Sequence, residues 1–293
     1  MRILLLGSDT PVGYSLRAFI PPLKRHELVL LPLEAVRWKR ERQVKKLLSS
    51  TEPDMVIDAR MISLIEGNDP VGQPDIERSR WLGAQVARRD CRYFLLSSSQ
   101  VFSGQLKRPY REGDIADAVE PTGRALAEIE GTLADQIGPL FVLRLGVVFS
   151  GRAPGLFHLM LERLRQGKKV YVTDNRRDCP VHAAEVARVI AGVIDQISVG
   201  APTRGLYHYG SEGDTGYYTF AESVIACASQ FPEFGDVVNL LVEDTRSPES
   251  WVNRSLDCSA IRHQFGIQRR HWREFVERAV RRYIELYCAD NNV

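Results

Sequence analysis

Short apolar runs alternate with segments of helical periodicity through the first half of the chain, with one further run at residues 205–210, and this alternation is the strongest constraint on the fold. The apolar runs are RILLLG, HELVLLPL, DMVIDA, RYFLLSSS, LFVLRLGVVF and GLYHYG. Nearly continuous apolar strands separated by helices are typical of parallel sheets that are covered on both faces. The sequence therefore predicts an α/β fold with a doubly wound parallel sheet.

The pattern becomes less regular after Phe149. GLFHLMLERLRQGKK, AAEVARVIAGVIDQI, TFAESVIACASQF and HWREFVERAVRRYIELY have the spacing of helices, and VYVT reads as a short strand. We expect residues 1–149 and 184–210 to form the sheet domain. Residues 150–183 and 211–293 are expected to form a smaller C-terminal lobe.

Charge and cysteine content exclude several classes of protein. The 293 residues carry a net charge of +2, from 39 basic and 37 acidic side chains, which gives no reason to expect nucleic acid or an anionic membrane as partner. No Cys-x-x-Cys pair occurs, so we expect reduced thiols and no metal site. The scattered cysteines are Cys91, Cys179, Cys227, Cys258 and Cys288.

No apolar run approaches the ~18 residues of a spanning helix, and the N-terminus has no signal-peptide pattern. We therefore expect a cytoplasmic protein. The basic stretch RWKRER is interpreted as a solvated helix face, with a phosphate site for NADP or a partner surface as the alternatives.

The turn GSDTPVG follows the first apolar run and has two interpretations. Gly7 and Gly13 suit a dinucleotide-binding turn, in which backbone approaches a pyrophosphate at a helix N-terminus. Thr10 stands where a middle glycine is expected, and its branched side chain is expected to fill the space for the phosphate. In the second interpretation Asp9 or Thr10 is a helix N-cap, Pro11 is the first helical residue, and an Asp9 carboxylate at the helix end repels a pyrophosphate.

Seven blocks of sequence, in order, resemble the extended short-chain dehydrogenases/reductases, and in particular the branch of dTDP-4-dehydrorhamnose reductase. They are the first turn, PDMVIDA, FLLSSSQVFSG, RPYREGD, LRLGVVFSG, GLYHYGSEG, and SLDCSAIRHQFGI followed by HWREFVERAV. The resemblance implies a Rossmann-type domain, a small substrate lobe, an NAD or NADP cofactor and a nucleotide-linked sugar as substrate. It also implies that the cofactor is bound by Gly7, Thr10, Pro11, Val12, Gly13, Arg37, Asp58 and Ala59.

The family's active site has a Ser or Thr that polarises the substrate carbonyl, a Tyr that exchanges the proton, and a Lys four residues later. A lysine at that spacing shares a helix face with the tyrosine and lowers its pKa. By the resemblance Ser98 occupies the hydroxyl position. Gly123 fixes the register of PTGRALAEIEG, which puts Thr122 at the tyrosine position and Leu126 at the lysine position. The family's Tyr and Lys are therefore both absent. Leu126 belongs instead to an apolar stripe of helical spacing.

The resemblance further implies a substrate-binding set beside these positions: Ser99, Gln100, Arg176, Arg177 and His182. Arginine suits bidentate contacts to the diphosphate of a nucleotide sugar. A surface role for the arginines and a packed histidine is the alternative.

Two functions remain open at this stage. In the first, the chain is a catalytically degenerate relative that binds a nucleotide or nucleotide sugar and acts as a regulatory protein, with a protein partner or a homo-oligomer as further options. In the second, it is an NAD(P)-dependent reductase or epimerase in which Ser98 polarises the carbonyl, and water or Thr122 relays the proton. A binding module for an unrelated nucleotide is a third option.

Overall fold

The computed structural model describes residues 1–20, 25–245 and 251–288. Its strands in chain order are β1 (Arg2–Leu6), β2 (Glu27–Leu31), β3 (Met55–Asp58), β4 (Arg92–Ser98), β5 (Leu140–Leu145), β6 (Val148–Phe149), β7 (Val170–Val172), β8 (Arg176–Asp178), β9 (Val181–His182), β10 (Gly205–Tyr209), β11 (Thr215–Gly216), β12 (Leu241–Glu243) and β13 (Val252–Asn253). Its α-helices are α1 (Pro11–Phe19), α2 (Glu41–Thr51), α3 (Arg60–Glu66), α4 (Gln73–Ala87), α5 (Pro121–Gln136), α6 (Leu156–Arg165), α7 (Ala183–Ser198), α8 (Tyr217–Ala228), α9 (Ser259–Phe265) and α10 (Val276–Tyr287).

A six-stranded parallel sheet in the order β2-β1-β3-β4-β5-β10 lies at the centre of the fold. Each of its strands falls within one of the six apolar runs, so the predicted doubly wound α/β fold is confirmed. Helices α1 and α7 pack together, and α2, α4 and α5 pack in succession as a second layer. The chain moves outward from β1 to β2 and then crosses to β3, so the strand order reverses between β1 and β3. Open α/β sheets bind ligands at the carboxyl ends of the strands beside such a point.

A second hydrophobic core lies in the C-terminal half of the chain. It is formed by residues of α6, α8, α10 and the strands beside them, with Phe157, Phe220, Trp272 and Tyr283 among its large side chains. Residues 256–267 contribute five buried side chains to the sheet core instead, although the sequence-based division assigns them to the lobe. The domain boundaries stay a prediction, and residues 21–24, 246–250 and 289–293 of that division lie outside the described residues.

The interpretation of RWKRER as a solvated helix face is only partly correct, because its charged residues are exposed but only Glu41 and Arg42 lie in a helix. Helix α2 begins only at Glu41, and the preceding residues form a loop. The indole of Trp38 is buried, with the Arg60 guanidinium 5.5 Å from its ring centroid, and the backbone carbonyl of Trp38 accepts a hydrogen bond from Arg78 Nε at 3.1 Å. The buried tryptophan holds the loop against the core, because packing the indole removes a large apolar surface from water.

All five cysteines are free thiols, and Cys91, Cys179 and Cys258 are buried. Burial raises the pKa of Cys91 to about 12 and that of Cys258 to about 11, so both stay protonated and unreactive at neutral pH. Within the described ranges, every helix is too short or too polar to cross a lipid bilayer. No group of three His, Cys, Asp or Glu side chains among those residues is placed to hold a metal ion.

Candidate functional site

The turn between β1 and α1 is tight, and both of its glycines are required by its backbone geometry. Gly7 has a φ of +81°, a backbone conformation that residues with a side chain rarely adopt. A Cβ on Gly13 would lie 2.1 Å from the Gly7 carbonyl oxygen, so only glycine allows the helix to approach the strand this closely. The two glycines therefore keep the tight turn and the close helix–strand packing of a dinucleotide fold.

Thr10 closes this turn from within. Its hydroxyl donates a hydrogen bond to the Gly7 carbonyl oxygen at 2.7 Å and accepts one from the Gly13 amide at 3.2 Å, which makes Thr10 the N-cap of α1. Only 5 % of the residue is exposed. The hydroxyl thus faces the turn itself, and the expectation that the branched side chain fills the space for the phosphate stays a prediction.

Asp9 does not cap α1, so that part of the second interpretation is wrong. Its carboxylate accepts a hydrogen bond from the Leu33 amide at 2.7 Å and so joins the turn to the end of β2. The carboxylate satisfies a backbone donor there, and it is not the group that neutralises the positive end of the α1 dipole.

Asp58, predicted to bind the cofactor, is fully buried at the end of β3. It accepts hydrogen bonds from Arg60 Nε at 2.9 Å and Nη2 at 2.7 Å, and from the Tyr93 hydroxyl at 2.5 Å. Burial alone would raise the pKa of Asp58, but the Arg60 guanidinium holds it below its usual value. In this structure the carboxylate stabilises the start of α3. The neighbouring Ala59 is buried as well.

Arg37 lies where a cofactor phosphate would be expected if the chain used NADP. It follows β2, and its guanidinium lies 3.3 Å from the Glu34 carboxylate. With Arg60, Asp69 and Arg78 it lines a cavity of about 440 Å³ beside the ends of β2 and β3. The side chain is exposed and belongs to a weak surface pair, so it is available to a ligand.

Ser98 ends β4 and lines a cavity of about 360 Å³ together with Gln100. The Ser98 hydroxyl oxygen accepts a hydrogen bond from the Gln100 amide at 3.2 Å and caps the short 3₁₀ helix 99–101. Because a lone pair of the oxygen receives that bond, the O–H of Ser98 is not used in it and can rotate to donate to a ligand. The arrangement suits a hydroxyl that polarises a ligand carbonyl.

Helix α5 presents Thr122 and Leu126 very differently. Thr122 is half-buried and lines a small cavity with Gln100, which also lines the Ser98 cavity. The structure therefore places the Ser98 and Thr122 positions on either side of Gln100, in neighbouring cavities. A Cβ on Gly123 would lie 2.1 Å from the Gln100 carbonyl oxygen, which is why the helix can pack so closely there. Leu126 is 1 % exposed and belongs to the sheet core. The side chain at the lysine position is therefore held in an apolar environment.

Ser99 is turned away from the Ser98 cavity. Its hydroxyl donates a hydrogen bond to Asp178 Oδ2 at 3.1 Å, and the other carboxylate oxygen accepts one from the Cys179 amide at 2.7 Å. Burial raises the pKa of Asp178 to about 6 against these hydrogen bonds. The predicted substrate residue Ser99 thus links the sheet to β8.

A larger cavity of about 410 Å³ adjoins the Ser98 cavity on the side of the lobe. Arg176 and Asp178 line it among aromatic and aliphatic side chains of α6 and α8. Both cavities share four lining residues, which are Val147, Val148, Leu156 and Tyr217. The Ser98 and Arg176 regions therefore belong to two adjoining cavities, which together are called the cleft.

Arg177 and His182 do not line either cavity. The Arg177 guanidinium is exposed and donates to Asp214 Oδ2 at 2.6 Å. His182 is the N-cap of α7, stacks on Phe275, and lines a separate arginine-rich cleft between α1 and α10. Burial lowers the pKa of His182 to about 4, so its ring is neutral at pH 7.

Sequence reasoning missed both titratable residues of the Ser98 cavity. Glu66, at the end of the unpredicted helix α3, and Tyr217, the first residue of α8, both line it. They are 151 positions apart, and neither belongs to a spacing pattern that could have indicated a site. Only the fold brings them together.

A parallel sheet with a glycine-bounded turn after its first strand, and a ligand-sized cleft between the sheet and a C-terminal lobe, defines an extended dehydrogenase/reductase-type nucleotide-binding protein. The family model described as RmlD substrate binding domain matches residues 1–285, and the chain belongs to this family.

Named relatives agree with this membership. A dTDP-4-dehydrorhamnose reductase of Burkholderia thailandensis is 24% identical, over 96% of this chain and 98% of the relative. The crystal structure of a dTDP-4-dehydrorhamnose reductase from Clostridium acetobutylicum has a TM-score of 0.79 at 17% identity, covering 96% of this chain and 99% of its own. The Bacillus anthracis dTDP-4-dehydrorhamnose reductase, solved in complex with NADP, has a TM-score of 0.78 at 13% identity and covers 95% and 98% of the two chains.

Proposed function

We propose that this chain binds a nicotinamide dinucleotide and a nucleotide sugar in its cleft, and that it lacks the ordinary reductase chemistry of its relatives. The observation that carries the proposal is the placement of Leu126 in the sheet core, on the helix face where a lysine would have to reach a tyrosine. A leucine supplies no charge to lower the pKa of a proton donor, and Thr122 offers only an aliphatic hydroxyl. Loss of a positioned general acid typically removes ~10²–10⁴-fold in rate.

The binding half of the proposal is supported by the turn after β1. Gly13 allows the helix to pack closely on the first strand, as in a dinucleotide-binding turn, and the hydroxyl of Thr10 is directed into the turn. A pyrophosphate bound there would meet the N-terminus of α1, where the helix dipole favours negative charge. A nicotinamide cofactor would supply the hydride for any reduction in this cleft. The exposed Arg37 is the residue we assign to an NADP phosphate.

The second candidate function is an NAD(P)-dependent reductase that uses a different proton donor. The observation that favours it is the Ser98 hydroxyl, whose oxygen accepts a hydrogen bond from the Gln100 amide and whose residue lines a ligand-sized cavity. In this candidate Ser98 donates a hydrogen bond to the substrate carbonyl, and water or another side chain supplies the proton.

Calorimetric titration with NADPH and NADH tests binding, and NADPH oxidation with dTDP-4-dehydrorhamnose tests turnover. We expect saturable cofactor binding that the Gly13→Ala variant loses, and no oxidation above the buffer control. Absence of heat at millimolar cofactor would contradict the binding function. Oxidation that the Ser98→Ala variant abolishes would instead establish the second candidate.

A further inference from the structure

Glu66 carries a carboxyl group that has no role in the proposed binding of the cofactor. It is the last residue of α3 and lines the same cavity as Ser98. Its Oε2 atom is buried and has no hydrogen-bond partner among the described residues. Buried polar atoms are nearly always paired, because an unpaired one loses its hydration without compensation. An unpaired carboxyl oxygen in the wall of a cavity is therefore the kind of group that a ligand completes.

The position of Glu66 makes it a direct neighbour of any ligand that reaches Ser98. Helix α3 packs against β4, which ends at Ser98, and against β6, which contributes Val148 to the cavity. Gln100, Asn68 and Tyr217 supply the other polar groups of the lining. Most of the remaining lining is aliphatic, so a ligand oxygen in this cavity depends on these few polar groups.

We propose that Glu66 is a ligand-recognition residue of the Ser98 cavity, and that its carboxyl group donates a hydrogen bond to an uncharged oxygen of the bound sugar. The inference rests on the proposed binding of a nucleotide sugar and adds the group that reads its sugar end. Ser98 and Glu66 then contribute two hydroxyl donors to one small cavity. That pair of donors favours ligand oxygens that accept hydrogen bonds, such as carbonyl or ether oxygens. Once Glu66 loses its proton, its negative charge repels an anionic sugar such as a uronate.

The charge state of Glu66 supports this role. Burial raises the pKa of Glu66 to about 8, which keeps the carboxyl neutral at pH 7. The other titratable residue in the lining of this cavity is Tyr217 on α8, and burial is the cause of the shift in the Glu66 pKa. Burial raises the pKa of Tyr217 further above its usual value, so that phenol is uncharged.

The structure thus provides a carboxylic acid without a cation to ionise it. A neutral carboxyl donates one hydrogen bond, whereas a carboxylate can only accept. The two forms predict opposite proton linkage on binding. A ligand that takes a hydrogen bond from the acid draws a proton onto the protein above pH 8, and a ligand that donates to the carboxylate releases one below pH 8.

Calorimetric titration with dTDP-glucose, in the presence of saturating NADPH, measures this linkage. The titrations are run at pH 6 and pH 9, in two buffers whose ionisation enthalpies differ, on the wild type and on Glu66→Gln. Glutamine keeps the shape and a hydrogen-bond donor but cannot titrate. Glu77→Gln is the matched control, because Glu77 is an exposed residue of α4 that undergoes the same chemical change.

We expect wild-type affinity to fall about tenfold from pH 6 to pH 9, with uptake of about one proton per ligand at pH 9. Glu66→Gln should bind at both pH values without the proton uptake, and Glu77→Gln should behave as wild type. Wild-type binding with no proton uptake, with proton release, or with uptake that Glu66→Gln retains overturns the role of Glu66 and leaves the proposed function standing. Absence of any dTDP-glucose binding by the wild type overturns both.

Discussion

The hydroxyl of Ser99 lies 3.1 Å from Oδ2 of Asp178 and donates a hydrogen bond to it across the boundary between the central sheet and the lobe strand β8. The next residue back, Ser98, lines the cavity, so two adjacent hydroxyls at the end of β4 have separate roles. One is directed to a ligand-sized space, and the other holds the carboxylate that borders the larger cavity.

The Ser99→Ala substitution should destabilise the protein more at pH 8 than at pH 4.5. The Ser99 hydrogen bond lowers the pKa of Asp178 from the value that burial alone would give, and the resulting pKa is about 6. Its full strength is therefore present above that pKa and is lost as the pH falls through it. We expect a loss of ~1.5–3 kcal/mol at pH 8, as for a hydrogen bond to a charged group, and ~1 kcal/mol at pH 4.5. Urea unfolding at the two pH values measures the difference, with the exposed Ser50→Ala as control. Equal losses at both pH values would show that Asp178 does not titrate in this range.

Two glycine substitutions should have opposite effects on stability. Alanine at Gly13 brings a methyl group to 2.1 Å from the Gly7 carbonyl oxygen, so the turn must open, at a cost of ~1–3 kcal/mol or more. Alanine at Gly131, inside α5, meets open space and should stabilise the helix by ~0.5–1 kcal/mol. Thermal unfolding measures both. A Gly13→Ala protein as stable as the wild type would contradict the turn geometry.

A lysine at position 126 should not restore reductase chemistry. Leu126 is 1 % exposed, so Leu126→Lys places an ammonium group in the sheet core, at a cost of ~2–5 kcal/mol. We expect a lower melting temperature and no NADPH oxidation from the Thr122→Tyr/Leu126→Lys double variant. The exposed Glu128→Lys, on the same helix, is the control and should stay within ~0.5 kcal/mol of wild type. Oxidation of NADPH by the double variant would show that α5 can still accommodate the pair.

The free protein should report the state of Glu66 without any ligand. Its pKa is raised from 4.5 to about 8 by burial, so the folded state holds a proton that the unfolded chain releases above pH 4.5. Relative to Glu66→Gln, wild-type stability should therefore be highest below pH 4.5. It should fall by at most ~1.4 kcal/mol per pH unit as the pH rises to about 8, and level off above it. Urea unfolding of both proteins from pH 4 to pH 9 gives the curve. A constant difference across this range would mean that Glu66 is ionised in the folded protein.

The central sheet could be predicted from the sequence because its strands are buried on both faces. Their apolar runs are nearly continuous, and short polar loops separate them from amphipathic helices. Helix α3 could not be predicted in the same way, since its seven residues span barely two turns and four of them are buried. The segment around Trp38 was misread because its charged residues have helical composition, whereas the buried indole decides its conformation.

The cleft was only partly predictable. Motif order placed Ser98, Gln100 and Thr122 near one another, and the structure brings them to the same loop region. Motif order could not show that the neighbouring Ser99 is directed away from the cavity, because the local backbone conformation decides which of two adjacent side chains faces a ligand. Glu66 and Tyr217 come from distant parts of the chain, so their meeting depends on tertiary packing alone.

Val147, Val148, Leu156 and Tyr217 form a wall common to both cavities. A substitution at any of these four positions changes the space on either side of it at once. The binding specificity for one end of an elongated ligand is therefore coupled to the binding specificity for its other end. Relatives that acquire a new ligand must change these positions in concert, or change only residues that line a single cavity, such as Gln100 on one side and Arg176 on the other.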